Sequence, residues 1–367
     1  MSRLPEGRLE SLDAFRGLTI AGMILVNNPG SWSHVYPPLL HADWHGWTPT
    51  DLIFPFFLFI VGVSVPFSFG KRLERGDSRR DLLVHIIRRS VILFGLGLFM
   101  AVFPRFDVFN VRIMGVLQRI GVVYLFAASA YLFLSRRGRV WALPAILLGY
   151  WALLTLVPVP GYGPGDLSPE GNLGAYLDRL ILGDHLWREM WDPEGLLSTL
   201  PAVGTTLLGI HAGEWIRGGS PPPRVAWGLV MAGALALAVG SIWDFWFPIN
   251  KGIWTSSYVV FTAGAASVLL GVMYWIMEVW GRKRWAKPFV VYGMNAIAVF
   301  VASGLLARLM GIWRIGEETS AKAWIYGHLF ASWADPTNAS LAFALTYILF
   351  WLALIWMLYW RRVFIKI

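Results

Sequence analysis

Long apolar runs separated by short polar or basic stretches repeat along the whole chain. Each run is about 15 to 24 residues long, close to what a helix needs to cross a bilayer. Because backbone polar groups in lipid must be paired within their own segment, each run is predicted to be a helix. The pattern therefore predicts an all-α polytopic membrane protein with about ten transmembrane helices. The runs are residues 17–30, 51–70, 90–104, 116–135, 140–157, 196–216, 225–243, 254–277, 288–310 and 339–360.

The composition supports a membrane protein and excludes an ordinary soluble domain. Of the 367 residues, 56% are hydrophobic and only 14% are charged, whereas about a quarter of a typical soluble domain is charged. The net charge of +9 does not indicate a nucleic-acid partner, because no basic stripe with interleaved aromatic residues is present. We predict one domain over 1–367, in which a Gly- and Pro-rich linker at 218–223 could separate two parts, 1–217 and 224–367.

The basic residues predict the orientation of the chain in the membrane. If Met1 is cytoplasmic, the inner segments hold 21 of the 31 Lys and Arg residues, whereas the outer segments hold 7. Cytoplasmic loops of membrane proteins carry an excess of Lys and Arg. Both termini are therefore predicted to be cytoplasmic, and the segment between the first two runs is predicted to face outward.

That outer segment, residues 31–50, is rich in histidine and is called the histidine segment here. His34, His41 and His45 are three of the seven histidines of the chain, and Asp51 follows at the mouth of the second run. Histidine changes charge near neutral pH and is the usual general base, so an imidazole near a carboxylate predicts a proton-transfer site. The alternative is an ordinary polar loop in which Thr50 or Asp51 caps the next helix.

A metal site is a second alternative for the same segment. His41 and His45 have the i, i+4 spacing of a helical metal-binding pair, and His34 and Asp43 could complete the ligands. Trp44 and Gly46 indicate irregular backbone there, which argues against this arrangement.

Charged residues at the predicted inner ends of the helices could meet an anionic ligand. Asp13 and Arg16 are three residues apart and can pair on one helix face, either as a surface ion pair or to hold such a ligand. The basic segment from Lys71 to Arg89 is expected to contact anionic lipid, and its last two arginines, Arg88 and Arg89, could also meet phosphate.

Polar residues inside or beside the apolar runs are candidates for function. Arg119 lies just inside the fourth run, where an arginine needs a partner, and Glu194 is predicted to form a structural pair with it. Asn295 lies within the ninth run and needs a partner from another helix. Asn27 could donate a hydrogen bond to a carbonyl or could simply end the first helix. Lys251 is the only basic residue of its outer turn and could be an ordinary interfacial lysine.

Eight short motifs resemble the heparan-α-glucosaminide N-acetyltransferase family of membrane acyltransferases, in order and across nearly the whole chain. The histidine segment and the Asn-Lys turn are the most specific, whereas the opening Asp-x-x-Arg-Gly is shared more widely among membrane acyltransferases. This chain does not show the large luminal N-terminal region of the animal enzymes, so it is expected to be a compact bacterial relative. The motifs are residues 12–17, 26–27, 41–46, 51–55, 115–119, 192–195, 250–254 and 293–295.

The resemblance implies transfer of an acetyl group from cytosolic acetyl-CoA to the amine of an amino sugar at the outer, periplasmic face. We also expect a multi-pass protein of the bacterial inner membrane that contacts membrane lipids, could form a homodimer and holds no metal. The expected site residues are the catalytic His41, Asn27 and Asp51, the donor-binding Arg16, Arg88, Arg89, Asn250, Lys251, Trp254 and Asn295, and the structural pair Arg119 and Glu194.

The chemistry of acetyl transfer fits these residue types. A thioester carbonyl needs a deprotonated amine and a donor for the developing oxyanion. His41 can take the proton while Asn27 or Asn295 donates the hydrogen bond, or His41 can attack first and carry the acetyl group. The competing class is a secondary transporter of a small polar or sugar solute, which predicts an internal repeat that the sequence does not show.

Overall fold

The computed structural model describes residues 9–316 and 319–365. This part of the chain is mostly helical, and its only strands form the short antiparallel hairpin of β1 (Arg314–Ile315) and β2 (Thr319–Ser320). The helices are α1 (Glu10–Asn27), α2 (Pro49–Glu74), α3 (Arg79–Val102), α4 (Val116–Phe133), α5 (Arg136–Leu156), α6 (Leu173–Leu182), α7 (Thr199–Arg217), α8 (Pro222–Trp243), α9 (Ser256–Tyr274), α10 (Lys287–Met294), α11 (Ala296–Ile312), α12 (Ala321–Leu329) and α13 (Pro336–Trp360).

The all-α polytopic membrane architecture predicted from the apolar runs is confirmed. Each of the ten runs contains a helix in the structure. In the described residues, seven helices are long and apolar enough to cross a membrane, and α10 with α11, bent by 72° at their junction, would make an eighth. Of the helices that correspond to the ten predicted runs, α1 and α7 are outside this group. In α1 the reason is charge, because its first two turns carry Glu10, Asp13 and Arg16.

Glycines let the helices nearest the histidine segment approach backbone to backbone. A Cβ at Gly209 of α7 would collide with the carbonyl of Phe59 on α2, and a Cβ at Gly293 of α10 would collide with the carbonyl of Asp13 on α1. Because lipid supplies no hydrophobic drive between helices, close packing of this kind is what holds such a bundle together. These contacts fix α1 and α2, which flank the histidine segment.

The histidine segment is docked on the turn that precedes α9. Gly46 donates its N–H to the carbonyl of Ile249 over 2.7 Å, and the Tyr258 hydroxyl donates to the carbonyl of Asp51 over 2.5 Å. The first contact joins loop to turn, and the second joins α9 to the first turn of α2. Residues far apart in sequence are thereby brought to one end of the bundle.

Helices from both sides of the 218–223 linker pack on one another, with α1 against α10 and α2 against α9. The division into two parts stays a prediction, as does the sidedness of the termini. Arg3, Arg8 and Lys366, which the topology prediction counted, lie outside the described residues.

Candidate active site

His41 faces a buried carboxylate at the start of α2. Its Nδ1 lies 2.6 Å from Oδ1 of Asp51, whose other oxygen accepts hydrogen bonds from the backbone N–H groups of Ala42 at 3.0 Å and Thr48 at 3.1 Å. Thr48 is the N-cap and Asp51 the third residue of the helix, so the pair forms a capping box. The Asp51 side chain is 1% exposed and that of His41 is 53% exposed. A fixed carboxylate therefore holds an imidazole that is open to solvent.

This geometry determines which nitrogen of His41 can act as a base. The Nδ1 atom carries the hydrogen, because it faces an oxygen that can only accept. The Nε2 atom then has the free lone pair. A carboxylate that holds a histidine in this tautomer is the arrangement of many catalytic bases.

Lys251 reaches the same place from the turn before α9. Its Nζ lies 3.0 Å from Nδ1 and 3.4 Å from Nε2 of His41, and 3.4 Å from Oδ1 of Asp51. Burial lowers the pKa of the Lys251 ammonium, while the negative charges of Asp51 and Glu194 oppose this effect. The structure therefore places this lysine, expected to bind the donor, against the imidazole.

Asn250 shapes the turn that presents Lys251. Its fully buried side chain accepts the N–H of Ile253 over 3.0 Å, and its Nδ2 lies 3.2 Å from Nδ1 of His45. Burial lowers the pKa of His45, and the charge of Asp244 opposes this effect. His45 thus joins the loop to the turn, whereas His34 lies 3.4 Å from the hydroxyl of Ser31, within its own segment.

Arg119 is completely buried below this turn. It donates to the carbonyl of Gly195 over 3.1 Å and to the hydroxyl of Ser198, and its guanidinium stacks 4.9 Å from the ring of Trp254. Trp254 is also completely buried and has a positive φ of 50°, which few side-chain-bearing residues adopt. The pair forms a floor under the turn rather than an open surface for a ligand.

Glu194 forms its ion pair with Arg112 and not with Arg119, which corrects the predicted structural pair. Arg112 donates to Glu194 and also forms a bidentate pair with Asp192, with Nε at 2.8 Å and Nη2 at 2.5 Å from the two carboxylate oxygens. The reason is position, because Arg112 lies in the loop before α4 beside the two acids, whereas Arg119 points from within the helix at Trp254.

Curated proteins of known name are similar to this chain along its length. The human heparan-alpha-glucosaminide N-acetyltransferase is 32% identical over 427 aligned positions, which cover 100% of this chain and 61% of the human protein. The mouse protein of the same name is 31% identical over 392 positions, which cover 90% of this chain and 58% of the mouse protein. The chain is homologous to the heparan-α-glucosaminide N-acetyltransferases. This homology confirms the family resemblance predicted from the motifs.

The match to these N-acetyltransferases covers only part of their length, and a second family matches part of this chain. The chain spans about three-fifths of the length of the human and mouse proteins, 61% and 58% respectively. A family described as a domain of unknown function, DUF5009, matches residues 8–113, which include α1, the histidine segment and α2. His41 and Asp51 lie within the match to the human protein and within the DUF5009 match, whereas Lys251 lies outside the latter.

The two asparagines expected at the acetyl site of an N-acetyltransferase are not brought together. Asn27 is the exposed last residue of α1, next to the histidine segment. Asn295 is buried between α10 and α11, where its Nδ2 donates to the carbonyl of Val363 and its Oδ1 accepts the N–H of Ile365. Since Gly17 of α1 packs against α10, Asn295 belongs near that level of the bundle, and Gly17 is about 15 Å along the helix from Asn27.

The arginines expected at the donor site lie toward the other end of the bundle from His41. Arg16 on α1 donates to Asp13 over 3.0 Å and to Ser64 on α2 over 2.7 Å. On α3, Arg88 is exposed, and the guanidinium of Arg89 stacks 4.7 Å from the ring of Tyr124. These groups flank the ends of α1, α2 and α3 that lie away from His41.

The metal alternative finds no support in the part of the chain that the structure describes. No group of three or more His, Cys, Asp and Glu side chains is placed there to hold an ion.

Sequence reasoning missed the roles of Arg112, Asp192 and Ser198. A signal was present for one of them, because the Asp-Pro-Glu motif carries two carboxylates and needed more positive charge than Arg119 could supply.

Proposed function

We propose that this chain transfers an acetyl group from acetyl-CoA to the amine of a glucosamine-type sugar, with His41 as the general base. The observation that carries the proposal is the solvent-exposed imidazole of His41 held through Nδ1 by the buried carboxylate of Asp51. The name of the human and mouse relatives supports the same reaction and acceptor class.

The reaction balances with these groups. His41 takes a proton at Nε2 from the amine as the nitrogen attacks the thioester carbonyl, so that a C–N bond forms and an oxyanion develops. The C–S bond then breaks, and the leaving CoA sulfur takes the proton from the imidazolium. Asn27, at the end of α1 beside the histidine segment, is the proposed donor to the oxyanion, because Asn295 is engaged by the backbone of the C-terminal segment.

The donor and the acceptor are proposed to enter from opposite faces. Arg16, Arg88 and Arg89 supply positive charge for the CoA phosphates toward one end of the bundle, and His41 lies at the other. The 18 residues of α1 separate these ends, a distance of about 27 Å, so the pantetheine arm has to reach along the helices toward the imidazole. In a bacterial inner membrane, the donor would be cytoplasmic and the sugar periplasmic.

The first experiment measures acetyl transfer to glucosamine by purified protein in detergent, with the product identified by mass. His41→Ala should lower the rate at least about 100-fold, the usual contribution of a general base, and should still bind CoA. His45→Ala should have a milder effect. His328→Ala is the matched control, since this exposed histidine stacks on the ring of Trp324 and hydrogen bonds to its carbonyl, both within its own helix. A near-normal rate in the His41 variant would refute the assignment.

A second experiment separates direct transfer from an acetyl-histidine intermediate. Wild-type protein is mixed with radiolabelled acetyl-CoA without sugar and rapidly quenched at neutral pH. Label that remains on the protein, and is absent from His41→Ala, indicates that His41 carries the acetyl group. Absence of protein-bound label at a time when added sugar is acetylated indicates direct attack.

A third experiment tests the sidedness with sealed proteoliposomes of known orientation. Acetyl-CoA should support transfer only when it is supplied at the face that carries Arg16, to sugar at the opposite face. Equal transfer with acetyl-CoA confined to the His41 face would refute the route through the membrane while leaving the enzyme class intact.

A further inference from the structure

Lys251 contacts His41 across 210 positions of sequence, and it also contacts Asp51. Its Nζ is 3.0 Å from one ring nitrogen of His41 and 3.4 Å from the other. An atom almost equidistant from the two nitrogens lies against the ring and not in line with either lone pair. Lys251 therefore leaves the Nε2 lone pair of His41 free to accept a proton.

Asp51 is shared between the lysine and the histidine. Its Oδ1 is 2.6 Å from Nδ1 of His41 and 3.4 Å from Nζ of Lys251, while its Oδ2 is occupied by the backbone of the histidine segment. A carboxylate this close to an imidazole favours imidazolium, which cannot accept a proton. An ammonium in contact with the same ring, 3.0 Å from Nδ1, favours the neutral form.

Other charges facing Lys251 come from two further elements. Burial lowers the pKa of the lysine, the charges of Asp51 on α2 and Glu194 before α7 raise it, and that of Arg119 on α4 lowers it. Glu194 is already paired with Arg112. Asp51 is therefore the carboxylate available to pair with the Lys251 ammonium, and the side chain of Lys251 is only 19% exposed.

We propose that Lys251 is a positioning residue that neutralises the charge of Asp51 and thereby keeps His41 in its neutral, proton-accepting form. The inference rests on the proposed acetyl transfer, in which Lys251 acts through His41 and keeps its own protons. It differs from a donor-binding role, which would place the ammonium on a CoA phosphate.

The test is the pH dependence of kcat in Lys251→Met, Lys251→Gln and Lys251→Arg. In the Met and Gln variants the acid limb of the profile should move to higher pH by about one unit or more, since a charge within contact has been removed. The Arg variant should keep the wild-type limb. Lys287→Met is the matched control, because this partly buried lysine donates to Tyr359 near the opposite end of the bundle.

Three outcomes overturn the inference. A fall in kcat with an unmoved acid limb indicates a structural lysine. A rise in the KM of acetyl-CoA with an unmoved limb indicates a donor-binding lysine. A shifted limb in the Arg variant equal to that in the Met variant indicates that charge is not what matters.

A titration without substrate separates this inference from the proposed function. In protein labelled with ¹³C-histidine, the imidazole signal that disappears in His41→Gln is followed against pH by NMR in detergent. Its midpoint should move to higher pH in Lys251→Met and not in Lys287→Met. If it moves while wild-type protein transfers no acetyl group, the acetyltransferase proposal fails and the electrostatic role of Lys251 stands. An unmoved midpoint refutes that role.

Discussion

Asparagine at position 51 would remove the charge behind His41 while keeping the shape of the side chain. The amide oxygen can take the place of Oδ2 and still accept the N–H groups of Ala42 and Thr48. The amide Nδ2 then faces Nδ1 of His41 as a donor. The imidazole must accept at Nδ1 and carries its hydrogen at Nε2, so the lone pair that serves as the base is lost.

The expected size of the effect follows from these contacts. The comparable substitution behind other catalytic histidines lowers kcat by about 10,000-fold, and loss of a general base lowers it by about 100-fold or more. Two backbone hydrogen bonds to a charged oxygen become neutral ones, each weaker by about 1 kcal/mol. Lys251 also loses its counter-charge. We expect Asp51→Asn to lower the free energy of unfolding by about 2–4 kcal/mol.

The assay is acetyl transfer to glucosamine together with thermal unfolding in detergent. Asp107→Asn is the matched control, because this exposed carboxylate also accepts a backbone N–H, that of Phe109 at 3.1 Å, without touching a histidine. The control should leave rate and stability unchanged. If Asp51→Asn kept a rate within a few-fold of wild type, the tautomer argument for His41 would be refuted.

Three further predictions concern the Arg112 ion pairs, the buried Asp178 and the topology. Arg112→Ala should destabilise the fold by about 3–5 kcal/mol by leaving buried carboxylates unpaired, and addition of Glu194→Gln should give a loss smaller than the sum in thermal unfolding; strict additivity would mean that the pair is not coupled. Burial raises the pKa of Asp178 from 3.8 to about 6, so the folded state loses stability as pH rises through that range. The free energy of unfolding of Asp178→Asn should exceed that of wild type by about 2–3 kcal/mol above this range and equal it below, and the same pH dependence of stability in both proteins would contradict this. Single cysteines at Ser78 and Ser168 should be labelled by an impermeant reagent from opposite faces, and labelling from the same face would overturn the predicted topology.

Much of the fold could be predicted because its determinants are local. An apolar run of the right length must pair its own backbone groups in lipid, so helix formation follows from the run itself. The cap of α2 is equally local, since Thr48 and Asp51 are three residues apart and bond to each other's backbone. The place of α1 among the spans is not a local property, because its charged first turns find partners such as Ser64 only on α2.

The site was predictable in part. His41 and Asp51 are ten residues apart in one segment, so their chemistry could be read together. That Glu194 pairs with Arg112 and not with Arg119 could not be predicted. The two arginines are seven residues apart, so the sequence alone allows either of them to reach the acidic motif. Only the direction of each side chain decides which one meets the acid.

The sequence by itself determined the helices, the capped start of α2 and the presence of a histidine beside a carboxylate. The tertiary structure decided that Lys251 lies against His41 and that Asn295 binds the C-terminal segment. The physical reason is that helix formation and capping involve residues a few positions apart, whereas these two contacts exist only after the helices have packed. That packing depends on close approach at residues such as Gly209 and Gly293, whose partners lie elsewhere in the chain.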